Sequence, residues 1–145
     1  MRSFSYRARF ERGDKRGIVV SFPDVPEAIT QGRDPADARR RAEDALGMAL
    51  LTYSVRGLSL PKARAGRGSA LITVAPDVAA KLAVLDAFLK SGLSKSELAR
   101  RVGKDEKEIR RILDPRHATK LSSLTPVLDA LGKRLVVGVI DSEAA

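Results

Sequence analysis

The chain has no cysteine and a single histidine, His117, among its 145 residues. Without thiols there are no disulfides and no thiolate metal sites. One imidazole cannot build a histidine metal cluster or a catalytic triad within one chain. Aromatic residues make up 4% of the sequence and tryptophan is absent, which leaves few side chains for base-stacking platforms. No apolar run approaches the ~18–20 residues that span a membrane, and the N-terminus lacks the apolar core of a signal segment. The expectation is a cytoplasmic protein with no cofactor and no membrane partner.

Positive charge, by contrast, is in excess. There are 27 lysines and arginines against 18 acids, a formal +9. Residues 1–76 hold 14 basic and 8 acidic side chains, a net +6, and residues 77–145 hold 13 and 10, a net +3. Such a balance favours an anionic partner, of which nucleic acid is the commonest, and sets no sequence preference.

The most informative stretch runs from Leu93 to Leu124. Ser94 followed three residues later by Glu97 is a capping box, and it predicts a helix over Lys95–Val102. Gly103 can take the left-handed turn that ends such a helix. A second helix is predicted from about Asp105, with Ile109, Ile112 and Leu113 at helical spacing. Small Ala99 lets the two helices approach closely. This pattern is that of a helix-turn-helix of the Cro/repressor kind, whose second helix enters the DNA major groove. Its outer face presents Glu106, Lys107, Arg110 and Arg111. Arginine can read guanine bidentately, and both cations neutralise phosphates. Glu106 and Arg110, four apart, can equally pair with each other on a solvated face. The full set expected at double-stranded DNA adds Ser94, Lys95 and Lys104 before this helix, and Arg116 and Lys120 after it.

Upstream, Ser3–Arg12 alternates Phe4, Tyr6, Ala8 and Phe10 with Ser5, Arg7, Arg9 and Glu11, a strand with one buried face. Turn residues at 13–17 lead to a second strand, Ile18–Phe22, forming a hairpin. Pro23 and Pro26 stop that strand, and residues 28–31 form a short third one, closed by Gly32. Asp34 as N-cap and Pro35 at the first position announce a helix. Its apolar face is Ala38, Ala42, Ala45, Leu46, Ala49, Leu50 and Tyr53, and it ends at Gly57. Arg39, Arg40 and Arg41 read as solvated surface, pointing in different directions. Residues 60–69 read as an irregular basic loop; its Gly-Arg-Gly-Ser lacks the strand and Lys-Ser/Thr of a phosphate loop. Leu71–Val74 is a fourth strand.

The domain boundary is placed near 76. A helix over Val78–Lys90 follows, apolar through Val78, Leu82, Leu85 and Leu89. After the helix-turn-helix come a helix over Leu124–Leu131 and a closing strand, Arg134–Ile140. A lone strand there has an open edge. Pairing with the same strand of a second chain gives a twofold dimer, which suits a palindromic operator; the strand can also fold back on its own domain.

The order β-β-β-α-β, with Val-Val-Ser-Phe-Pro-Asp-Val-Pro at 19–26 and Ile-Thr-Gln-Gly at 29–32, resembles the HicB family, the antitoxins of HicA/HicB toxin–antitoxin systems. Asp-Pro-Arg-His-Ala-Thr-Lys-Leu at 114–121 is similar to the segment after the recognition helix in that family. One departure is Glu27-Ala28, where the family commonly has Gly-Cys. The resemblance implies an α+β chain. Residues 1–76 would form a partial ribonuclease-H-like domain that binds a small HicA-type toxin. Residues 77–145 would form a helix-turn-helix domain that binds DNA and forms a homodimer or higher homo-oligomer. The toxin face is expected at Phe22, Pro23, Asp24 and Glu27. Complementarity to a basic toxin has to be local in a domain of net +6, through Asp14, Asp24 and Glu27.

A ribonuclease-H-like fold raises the question of catalysis. Such nucleases need several carboxylates converging on two metal ions. Only Asp14 and Asp24 lie near, one in a turn and one past a strand, so no catalytic residue is expected. The other readings that the sequence leaves are an orphan regulator, whose N-terminal domain oligomerises or senses a ligand, and a metal-dependent nuclease.

Overall fold

The structure, a computed structural model, describes residues 1–64, 66 and 70–142. The loop expected over 60–69 is therefore described up to Arg64 and at Gly66, and the rest of it lies outside the described residues. The chain divides into two compact units, one of residues 1–50 and 61–75, the other of residues 51–60 and 76–141. Residues 51–60 thus pack with the second unit, where the sequence reading puts them in the first.

In the first unit, strands β1 (Ser5–Arg12), β2 (Ile18–Ser21) and β3 (Ile29–Gly32) precede helix α1 (Pro35–Val55), which belongs to this unit as far as Leu50, and strand β4 (Ala70–Thr73). They form a four-stranded antiparallel sheet in the order β3-β2-β1-β4. Tyr6 and Ala8 of β1, Val20 of β2 and Ile72 of β4 are buried, whereas Arg9 is exposed. This is the period-two alternation of a sheet with one covered face. The α1 face that is spaced for burial is buried at Ala38, Ala42, Leu46, Ala49 and Leu50. Gly32 makes a close helix–sheet approach possible. A Cβ built there would lie 2.3 Å from the backbone N and Cα of Ala38.

The start of α1 is held by polar contacts. Asp34 caps it, accepting from the Asp37 N–H at 2.8 Å. Asp37 is itself buried. It accepts from the Arg33 N–H at 2.9 Å and from the guanidiniums of Arg33, Arg40 and Arg41 at 3.2–3.3 Å. The backbone hydrogen bond from Arg33, followed by the guanidiniums, holds the Asp37 carboxyl far below the ordinary carboxylate range. The arginines at 39–41 therefore do not simply diverge into solvent. Arg40 and Arg41 lean back to Asp37, while Arg39 donates to the Leu71 carbonyl at 3.3 Å.

The second unit contains helices α2 (Pro76–Ser91), α3 (Lys95–Val102), α4 (Glu106–Ile112) and α5 (Leu121–Ala130). Its core gathers Val84, Leu85, Leu98, Ala99, Ile109, Ile112, Leu113, Leu124, Val127 and Leu128. Two details depart from the sequence reading. Helix α2 buries much of its circumference, including Ala80, Lys81, Val84 and Ala87, while Leu89 is exposed. Helix α5 starts at Leu121, three residues before the first apolar position that signals it.

A third difference concerns the C-terminus. The strand expected over Arg134–Ile140 forms no ladder with any described strand. Leu135 packs on the core, but Val136, Val137, Val139 and Ile140 are 65–95% exposed. High β-propensity alone does not make a strand, because its N–H and C=O groups need a neighbour to pair with.

Candidate nucleic-acid interface

Local chemistry fixes each end of the α3–α4 pair. The Ser94 hydroxyl accepts from the Glu97 N–H at 3.1 Å, and the Glu97 carboxylate accepts from the Ser94 N–H at 3.3 Å. The same backbone hydrogen bond to Ser94 lowers the pKa of Glu97. Gly103 sits at φ 73°, in the left-handed region, and the Gly103 and Lys104 N–H groups both donate to the Ala99 carbonyl, at 2.9 and 3.1 Å. Asp105 caps α4 by accepting from the Glu108 N–H at 2.7 Å. Beneath, Leu98, Ala99, Ile109 and Ile112 are buried.

With Ile109 and Ile112 pointing inward, Lys107, Arg110 and Arg111 fall on the opposite side of α4, and all three are exposed. The two acids flank this stripe and hold neighbouring cations. Glu106 pairs with Arg110 at 2.8 Å and Glu108 with Lys104 at 2.9 Å. Lys107 and Arg111 hold no ion pair among the described residues. Lys95, Arg116 and Lys120 are also exposed. Arg116 follows a turn in which its N–H donates to Asp114 Oδ1 at 2.9 Å. Ser94, expected at DNA, spends its hydroxyl on the cap.

The sequence reading missed Lys81. This α2 residue is buried, and its Nζ donates at 2.6 Å to the carbonyl of Ile112, the last residue of α4, and at 2.6 Å to the Thr119 hydroxyl. Burial lowers the amine to about 8, against the opposing field of the Asp114 carboxylate. Its position was readable: Lys81 lies three residues after Val78 and four before Leu85, on an inward helical face.

The residues expected at a toxin have a different setting. Val25 N–H donates to the Phe22 carbonyl at 3.1 Å and Ala28 N–H to the Val25 carbonyl at 2.9 Å. Residues 22–25 and 25–28 are thus two successive β-turns, with Pro23 and Pro26 each at the second position, where φ near −65° is wanted. Phe22, Val25 and Ala28 all turn inward. The Phe-Pro-Asp-Val-Pro motif is therefore a folding device. Phe22 is core rather than surface, and Asp24 is taken up by the Arg64 N–H at 2.8 Å. Pro23 is half-buried and Glu27 is exposed.

Asp14 is exposed in the hairpin turn. Among the described residues no group of three or more His, Cys, Asp or Glu could hold a metal ion. No helix among them is long and apolar enough to cross a membrane.

No family model matches the chain. It is 41% identical over 120 residues to Antitoxin HicB of Escherichia coli (strain K12), covering 82% of this chain and 87% of that one. It is 36% identical over 139 residues to Antitoxin HicB 1 of Photorhabdus laumondii, covering 96% and 89%. Antitoxin HicB of Pseudomonas fluorescens is 31% identical over 124 residues, covering 84% and 85%.

Proposed function

Because the chain belongs to the HicB family of antitoxins, which are not enzymes, we propose that it neutralises a small HicA-type toxin with its first unit and represses its own operon with its second. The repressor half rests chiefly on one observation: a doubly capped helix-turn-helix whose second helix turns Lys107, Arg110 and Arg111 outward. Lys107 and Arg111 are the cations to which the strongest role falls, since Arg110 must first leave Glu106. Arg116 and Lys120 lie beyond the helix and suit flanking phosphates.

Binding of the pure protein to its own upstream DNA, against scrambled DNA across a salt series, tests this reading. A preference of about 10³-fold or more is expected for a sequence-reading repressor. Equal and steeply salt-dependent binding to both would mean that the +9 charge only grips phosphates. Within that assay, Lys107→Ala and Arg111→Ala should each weaken operator binding by roughly 1–3 kcal/mol. Arg110→Ala should cost less. Undiminished affinity in both of the first two variants would remove α4 from the groove.

The toxin-binding half rests on family membership, with Pro23 and Glu27 as its surface candidates. Asp14 also stands exposed and can supply local negative charge.

The repressor is a twofold dimer in this reading. Four exposed aliphatic side chains in the five residues 136–140 form an apolar patch of the kind that marks an interaction surface. Antiparallel pairing of two such segments would satisfy their backbone groups and bring two α4 helices to the half-sites of a palindrome.

A further inference from the structure

Helix α4 has seven residues, too few to hold its own shape or direction in water. Its orientation therefore depends on what lies beneath it. Ile109 and Ile112 supply burial, but apolar contacts are non-directional and allow a helix to roll or slide. The Lys81 amine supplies direction. Its two 2.6 Å hydrogen bonds end on the carbonyl at the foot of α4 and on the hydroxyl of Thr119. The anchored atoms are interleaved with the cations assigned to DNA. Ile112 follows Arg111, and Thr119 stands between Arg116 and Lys120. An ammonium at a helix C-terminus also complements the helix dipole.

Burying an amine costs desolvation, and an apolar side chain of the same length would avoid that cost but would leave the Ile112 carbonyl and the Thr119 hydroxyl without this donor. The two effects oppose each other, so stability alone does not single out a lysine here. We propose that Lys81 is a positioning residue for DNA recognition: it locks α4 and the 113–120 segment to α2 in the register that lets Lys107, Arg111, Arg116 and Lys120 engage one operator together. This rests on the operator-binding reading above.

The test uses the full-length chain as native protein, Lys81→Met and Thr119→Val. For each, the thermal midpoint and the affinities for operator and scrambled DNA are measured at one salt concentration. Lys81→Met is expected to lower the midpoint by several degrees, because the Ile112 carbonyl and the Thr119 hydroxyl lose a donor, and to keep near-native affinity for scrambled DNA, because no phosphate-binding charge is removed. Its preference for operator should fall by about tenfold or more, as expected when recognition groups are displaced by a fraction of an ångström to an ångström. Thr119→Val, which removes one arm of the lock, should lose a smaller part of that preference. A midpoint and both affinities that fall together would make Lys81 a structural residue and overturn the proposal. If Lys81→Met does not fold, Thr119→Val decides, and an undiminished preference in it overturns the proposal. A native chain without operator preference would overturn the DNA reading and this proposal with it. A native preference retained in full by both variants overturns this proposal alone.

Discussion

Replacing Gly32 by alanine is expected to destabilise the first unit strongly while leaving the second able to bind DNA. The new methyl would sit 2.3 Å from the Ala38 N and Cα and 2.8 Å from its Cβ. These are mostly backbone atoms, so no change of rotamer relieves the clash. Ala38 cannot retreat easily, because its N–H donates to the Asp34 carbonyl at 2.9 Å in the first turn of α1. Overpacking a core typically costs about 1–3 kcal/mol, and a clash with backbone belongs at or above the top of that range. For a unit of this size 3 kcal/mol lowers the melting point by roughly 12 °C or more. Calorimetry of the variant should show that loss, and co-purification with a HicA-type toxin should fail while operator binding persists. A midpoint within a couple of degrees of native would mean that helix and sheet do not approach as described. Loss of both activities would mean that the units do not act separately.

The second large effect is expected at the C-terminus. A Val137→Asp, Val139→Asp double variant places two carboxylates in the proposed two-stranded ribbon, both on the side of the segment that Leu135 faces by strand alternation. Leu135 packs on the core of its own chain. In a dimer Val137 and Val139, further along the same side, would reach over the second copy. Two charges buried there without partners cannot be accommodated, and the variant should run as a monomer in light scattering. Operator affinity should then fall by about 10²–10⁴, the contribution of joining two half-site contacts in one particle. A variant that stays dimeric, or a native protein that is monomeric at micromolar concentration, would remove the ribbon.

Local signals were the most legible. Ser94, Glu97, Gly103 and Asp105 announce the ends of α3 and α4 because a cap is a contact between residues three or four apart. The α1 face and the alternation of β1 are legible for the same reason, since a repeating period reports one covered side. Contacts distant in sequence were not. Lys81 reaches Ile112 and Thr119, 31 and 38 residues away, and nothing near position 81 names those acceptors. Phe22, Pro23 and Asp24 are toxin candidates only through the resemblance of their motif to the HicB family. The structure gives two of them internal work, Phe22 in the core and Asp24 with Arg64. Leu89 illustrates the limit of periodicity, which shows a stripe but not how far a neighbour covers it. Arg134–Ile140 illustrates the limit of propensity, because a ladder needs a second strand that the described residues do not offer.

That unladdered segment also bears on how the operon would sense supply. Were that surface completed by another copy of the same chain, as proposed, the repressing species would be second order in antitoxin. Well below the dissociation constant of the pair, halving the number of chains would cut the paired form about fourfold. Transcription would then resume over a narrow range of abundance, early in any shortage, before the pool that restrains the toxin has emptied.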